Sequence, residues 1–129
     1  MSNHPLILLV DDDPNFREIF SVKLKAAGFR VETAEDGHAA VEKCLELKPD
    51  LVLMDVAMPK MNGAQALLKI KDNPKCHNLK IAFLTAMGDP RSDVQEIHRR
   101  FSKEVGAVGY FKKEENLEEL VSYIKRFIQ

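Results

Sequence analysis

The sequence predicts an α/β domain built on a parallel sheet. Short runs that are apolar at every position, as a strand buried on both faces requires, alternate with longer segments of helical period. The alternation is strict through five βα units, which puts helices on both sides of the sheet. The length, 129 residues of which 45% are hydrophobic, suffices for one core without disulfide or metal staples.

Leu6-Ile7-Leu8-Leu9-Val10 is the first apolar run. Asp13-Pro14 then offers an N-cap followed by proline at the first helical position. Phe16, Ile19, Phe20 and Ala27 form the stripe of the first helix, and Gly28 supplies its stop. Arg30-Val31-Glu32-Thr33-Ala34 alternates apolar and polar, as an edge strand with one wet face does. The second helix runs from about Gly37 to Leu47, turns Val41, Cys44 and Leu45 inward and ends before Pro49.

Leu51-Val52-Leu53-Met54 is the third strand, and a helix from about Gly63 to Lys71 buries Ala64, Leu67 and Leu68. Ile81-Ala82-Phe83-Leu84 is the fourth strand. Asp89-Pro90 repeats the cap-plus-proline signal for a helix with Val94, Ile97, Phe101 and Val105 on one face. Val108-Gly109-Tyr110-Phe111 is a weaker fifth strand. Asn116, with Glu119 three residues on, resembles a capping box and opens a last helix through Leu117, Leu120, Val121, Ile124 and Ile128. The expected architecture is a flavodoxin-like (βα)5 open sandwich, a five-stranded parallel sheet of order 2-1-3-4-5 with helices on both faces. The alternating second strand then falls at an edge, where its pattern belongs.

Nineteen Lys+Arg against twenty Asp+Glu leave a formal charge of -1, no global field for nucleic acid or anionic lipid. The apolar run at Leu6–Val10 is far too short to span a membrane, and the three aspartates after it do not suit a secretory signal. A cytoplasmic protein without membrane attachment is expected. Cys44 and Cys76 lack zinc-site spacing and read as ordinary thiols in a reducing compartment. The four histidines, His4, His38, His77 and His98, read as surface residues. No Gly-Lys-Ser/Thr phosphate loop occurs, so ATP binding is not expected.

In a sheet of this kind, ligands bind beyond the carboxyl ends of the strands near the switch between strands one and three. Asp11 and Asp12 follow strand one and Asp55 follows strand three, so three carboxylates converge. Like charges at roughly 4 Å repel by about 4 kcal/mol per pair at an effective dielectric near 20, and a divalent cation, a cationic side chain or a proton must offset that. An all-oxygen ligand set favours Mg2+. Asp13, Asp36, Asp50, Asp89 and Asp93 sit at element boundaries, where capping and turns account for them. Asp12 and Asp55 each end an apolar strand, where an isolated charge is expensive. Thr85 and Lys113, after strands four and five, add a hydroxyl and an ammonium suited to a phosphoryl group.

These residues resemble a known family. Leu8-Leu9-Val10-Asp11-Asp12-Asp13-Pro14 is similar to the acidic start of two-component response regulator receiver domains, of the chemotaxis-regulator type. Leu53-Met54-Asp55-Val56-Ala57-Met58-Pro59-Lys60-Met61-Asn62-Gly63 resembles their phosphoacceptor loop. Leu84-Thr85-Ala86 resembles the switch threonine and its small neighbour. Gly106-Ala107 through Lys113, with Leu117-Glu118-Glu119-Leu120, resembles the end of the domain. The resemblance covers essentially the whole chain and implies one receiver domain over residues 1–129 without an output domain.

It further implies that Asp55 accepts a phosphoryl group from a histidine kinase or histidine phosphotransfer protein. Asp12, Asp55 and the backbone carbonyl of Ala57 would ligate Mg2+, or Mn2+ in its place, with Asp11 acting through water. Lys113 would pair with phosphoryl oxygens, Thr85 would swing to hydrogen-bond one, and Tyr110 would be the rotating aromatic. The state would be read by an unidentified protein on the face of the predicted fourth helix and fifth strand. Self-phosphorylation from phosphodonors and autophosphatase activity are expected, without the repertoire of an ordinary enzyme. The alternatives are a pseudo-receiver, which binds partners without being phosphorylated, and a Mg2+-dependent phosphohydrolase, which lacks a second general acid here.

Three departures from the family pattern stand out. Glu114 follows Lys113 where proline is usual, and a cis bond to a non-proline residue costs about 3 kcal/mol, so a trans bond is expected. The interval from Thr85 to Lys113 is twenty-eight positions, longer than usual, with the excess expected in the predicted fourth helix through His98-Arg99-Arg100-Phe101-Ser102-Lys103. Ala57 and Met87 cannot hydrogen-bond an attacking water, which predicts a phosphorylated state lasting minutes or longer.

Overall fold

The structure is a computed structural model, and it describes residues 4–56, 58, 61–86, 107–113 and 116–128. Five parallel strands, β1 (Leu6–Val10), β2 (Arg30–Ala34), β3 (Leu51–Asp55), β4 (Ile81–Ala86) and β5 (Gly109–Lys113), form one sheet of order β2-β1-β3-β4-β5. The described helices are α1 (Pro14–Ala26), α2 (Gly37–Leu47), α3 (Gly63–Asp72) and α4 (Leu117–Ile128). The helix expected from Asp89, with Arg99, Arg100, Lys103 and His98, lies outside the described residues.

Alternate strand residues feed two cores, as the twofold pleat demands. Leu8, Val10, Val52, Met54, Ile81 and Phe83 pack with Ala40 and Cys44 of α2 and Ala66, Leu67 and Ile70 of α3. Ile7, Leu9, Leu51, Leu53, Ala82 and Leu84 pack on the other face with Phe20 and Leu24 of α1 and Leu120, Val121 and Ile124 of α4. Each fully buried aliphatic side chain contributes about 1.5–3 kcal/mol, and the three central strands are buried almost throughout. β2 lies at one edge of the sheet, as its sequence predicts, but the alternation breaks at its end, where Val31 is buried in one core and Ala34 in the other.

The helix ends follow their sequence signals. The Asp13 side chain caps α1 by accepting from Asn15 N–H at 2.9 Å, with Pro14 behind it. Beyond α1, Gly28 takes φ +100, Gly28 N–H donates to Lys25 and Phe29 N–H to Leu24, the paired bonds of a Schellman stop. Asp36 caps α2, and α2 ends on Lys48 in the left-handed region at φ 47. The reciprocal capping box belongs to α3, where Asn62 and Gln65 exchange bonds of 2.9 and 3.0 Å. At α4, Asn116 accepts from Glu118 and Glu119 N–H.

Some expectations need correction. Ile19 of α1 is 52% exposed and Leu68 of α3 is 47% exposed, Leu45 of α2 is at the surface, and Ala64 is only half-buried. Leu24, Ala40, Ala66 and Ile70 occupy the inward positions instead. Apolar residues outnumber the positions that one helix face can bury, and the sheet's orientation selects among them. β3, β4 and β5 each run beyond their apolar stretch because strand pairing continues through Asp55↔Leu84 and Ala86↔Lys113. Asp55, Thr85 and Lys113 are therefore strand residues, not the first residues after the strands.

Cys44 and Cys76 are buried and free. Burial, and secondarily the neighbouring Cys76, pushes the Cys44 thiol up to about 12. His4, His38 and His77 are exposed. Among the described residues no helix is long and apolar enough to cross a membrane.

Candidate functional site

The carboxyl ends of β1, β3 and β5 meet at one cluster. Val10 pairs with Met54, Asp55 with Leu84 and Ala86 with Lys113. The pleat thus carries Asp11, Asp55 and Lys113 to the sheet face covered by α1. Carboxylate oxygens of Asp11, Asp12 and Asp55 lie within 4.8 Å of one another.

Asp11 is the buried acid of the first pair, at 0% exposure, and Asp12 is exposed. The sequence expectation that Asp12 ends the buried strand is corrected here. Asp11 N–H donates to Ala34 at 3.1 Å, extending the β1–β2 ladder by one residue, and the chain turns outward only at Asp12. One Asp11 carboxylate oxygen accepts from Asp13 N–H at 2.9 Å. The other lies 2.5 Å from Lys113 Nζ. A half-buried Arg17 donates to the Asp11 backbone carbonyl at 2.6 Å.

Lys113 is the cation at the centre of the site. Its Nζ lies 3.7 Å from Asp55 Oδ2 as well, and 4.4 Å from the centroid of the Phe16 ring. Lys112, which strand alternation turns to the opposite face of the sheet, is exposed. Asp55 is 7% exposed and Thr85 2%. Thr85 Oγ1 has no hydrogen-bond partner among the described residues, a costly arrangement for a buried hydroxyl.

Three carboxylates against the Lys113 ammonium and the neighbouring Arg17 guanidinium still leave an excess of negative charge among the described residues. The donor set is oxygen alone, which suits a hard divalent cation. The buried Thr85 hydroxyl stands at the end of β4, next in sequence to Leu84, the strand partner of Asp55. The residues present therefore fit a divalent cation together with an oxyanion. Ala57, Met87 and Glu114, with the expectations attached to them, lie outside the described residues, as does the Tyr110 side chain.

Sequence reasoning did not single out Phe16 or Arg17. Phe16 reads as one more apolar position of the α1 stripe, and nothing in the sequence pattern marks Arg17. Their nearness to the acids follows from α1 starting three residues after Asp11, a spacing visible in the sequence but silent about side-chain direction.

A parallel sheet that gathers three acids, a lysine and a threonine at the carboxyl ends of its strands defines the class, an α/β domain with an acidic site at its carboxyl edge. The chain matches the family model of the response regulator receiver domain over residues 7–125, and it belongs to that family, which works in phosphorylation-based signalling. It is 39% identical over 123 residues to the Haemophilus influenzae transcriptional regulatory protein CpxR homolog, covering 95% of this chain and 50% of that protein. It is 27% identical over 125 residues to the Synechocystis DNA-binding dual master transcriptional regulator RpaA, covering 97% of this chain and 49% of the relative. The chain thus spans about half the length of these curated relatives.

Among solved structures, the chemotaxis response regulator CheY4 of Vibrio cholerae superposes with a TM-score of 0.82 at 30% identity, over 97% of this chain and 99% of that one. The response regulator protein TrrA of Thermotoga maritima, in complex with Mg2+-BeF, gives a TM-score of 0.76 at 34% identity, over 95% and 98%.

Proposed function

We propose that this chain is a signalling switch that carries a phosphoryl group on Asp55, received from a histidine kinase or a histidine phosphotransfer protein. The observation that carries the reading is the position of Lys113, 2.5 Å from Asp11 and 3.7 Å from Asp55. It sets a cation beside the acid at which phosphoryl oxygens would gather. Family membership and the acidic cluster support it.

Asp12, Asp55 and the Ala57 carbonyl would hold Mg2+, or Mn2+ in its place, with Asp11 acting through water. When bound, the ion supplies neutralisation of charge on the phosphoryl oxygens. The Mg2+-BeF complex of TrrA supports the choice of metal.

In the transfer, an Asp55 carboxylate oxygen attacks phosphorus in line. The P–O bond forms as the donor's P–N bond breaks, and the imidazole nitrogen keeps the electron pair. Lys113 pairs with phosphoryl oxygens, and the Thr85 hydroxyl donates to one of them. Hydrolysis restores the acid: water attacks phosphorus, the acyl phosphate P–O bond breaks, and Asp55 leaves as a carboxylate with inorganic phosphate as the other product. Capture of Thr85 is the local event, Tyr110 follows it, and a partner protein that prefers the resulting face of the expected helix after β4 together with β5 reads the state.

Incubation with acetyl phosphate and Mg2+, followed by intact mass, tests the reading. One added phosphoryl group in the wild type and none in Asp55→Asn is expected. No addition to the wild type overturns the reading and leaves a phosphorylation-independent interaction module.

A further inference from the structure

We propose that Phe16 is a positioning residue for Lys113, its ring holding the ammonium between the carboxylates of Asp11 and Asp55. The inference rests on the phosphoacceptor reading above and adds to it a residue that makes no contact with the phosphoryl group.

Two carboxylates and an aromatic ring surround the ammonium. Asp11 lies at 2.5 Å, Asp55 at 3.7 Å and the Phe16 ring centroid at 4.4 Å. The face of an aromatic ring attracts a cation through its quadrupole. Unlike a carboxylate, the ring adds no net charge, so it holds the ammonium without adding to the negative charge of the site. A lysine side chain is a flexible four-carbon stem ending in a point charge, and it needs a wall to hold its end in place. Glu114 follows Lys113 in the sequence, so no proline ring restrains the backbone there.

The wall itself is anchored. Phe16 lies in the first turn of α1, whose start is set by the Asp13 cap and Pro14. Its ring sits 5.3 Å from that of Phe20, one turn on, and Phe20 is fully buried in the α1 face of the core. The cap, the helix and the core therefore fix the ring, and the ring limits where Nζ can stand. The arrangement supplies orientation in advance of transfer, the term that preorganised electrostatics requires.

The test replaces Phe16 by Leu, which keeps apolar bulk without the ring, and by Trp, which keeps a ring. Thermal unfolding establishes that each variant folds. Phosphorylation by acetyl phosphate in Mg2+ is followed as a function of donor concentration, and the Lys113 side-chain methylene resonances are read by NMR in the metal-free protein. Phe16→Leu is expected to slow phosphorylation about three- to tenfold, chiefly in the maximal rate, while Phe16→Trp recovers most of it. The ring-current shift of the Lys113 resonances is expected in wild type and Phe16→Trp and lost in Phe16→Leu. A graded slowing through mono-, di- and trifluorinated phenylalanine at position 16 is the signature of the ring quadrupole. A wild type that is phosphorylated, with Phe16→Leu equally fast or Lys113 resonances unshifted in the wild type, overturns the positioning role alone. A wild type that takes no phosphoryl group overturns this inference and the phosphoacceptor reading together.

Discussion

A methyl group on Gly63 would come within 2.7 Å of the Asp55 carbonyl oxygen, and within 2.9 Å of the Phe83 ring and 3.1 Å of Val56 Cα. Gly63 N–H also donates to the Val56 carbonyl at 3.0 Å. The first residue of α3 is thus pressed against the end of β3, and the backbone that carries Asp55 has no room for a side chain there.

Gly63→Ala is accordingly expected to destabilise the protein by about 1–3 kcal/mol, the usual range for overpacking. Two of the obstructing atoms are backbone and cannot rotate away, so the strain falls on the Asp55 segment. Urea unfolding checks this. A midpoint equal to that of the wild type contradicts it.

Divalent cations are expected to stabilise the fold through the Asp11, Asp12 and Asp55 cluster. At a hundredfold excess over Kd the gain is about 2.7 kcal/mol, and it grows with the logarithm of concentration. A thermal midpoint that rises with Mg2+, returns with EDTA and responds weakly in Asp12→Asn is the expected result. An equal response in that variant places the cation elsewhere.

Lys48 ends α2 at φ 47, a region that costs a residue with a Cβ about 1–2 kcal/mol. Lys48→Gly relieves this at some entropic cost in the unfolded chain, for a net gain of about 0.5–1 kcal/mol. Its side chain is exposed, so little packing is lost. Chemical denaturation that shows a loss in place of a gain refutes the expectation.

The raised Cys44 thiol predicts a loss of stability in alkali. Below pH 9, Cys44 is protonated in both states. Between the ordinary value of 9.0 and the folded value of about 12, the unfolded chain releases the proton and the fold retains it. Stability therefore falls as pH rises through this window, by at most about 1.4 kcal/mol per pH unit. Cys44→Ala should flatten the slope. Ellman's reagent at pH 8 should find neither buried thiol before unfolding, and prompt reaction of the native protein would count against their burial.

The fold was legible because its signals are local and repeated. Leu6–Val10, Leu51–Met54 and Ile81–Leu84 are apolar at every position, a pattern that only a sheet covered on both faces rewards. Alternation at Arg30–Ala34 marked the edge, and Asp13-Pro14 and Gly28 marked both ends of α1. Less legible was which apolar residues face inward. Ile19, Leu45 and Leu68 satisfy the helical period as well as their buried neighbours do, yet they meet solvent. Periodicity defines a stripe about a helix axis, whereas the packing partner defines its centre.

The site divides along the same line. That acids, a threonine and a lysine gather at one edge follows from the chain alone, because each ends or follows an apolar run and parallel strands present those ends together. The burial of Asp11 in place of Asp12, the contact of Lys113 with both Asp11 and Asp55, and the Phe16 ring beneath that ammonium required three dimensions. Each depends on strand register and on the seating of α1, and these are settled by the packing of residues distant in sequence, which no local pattern encodes.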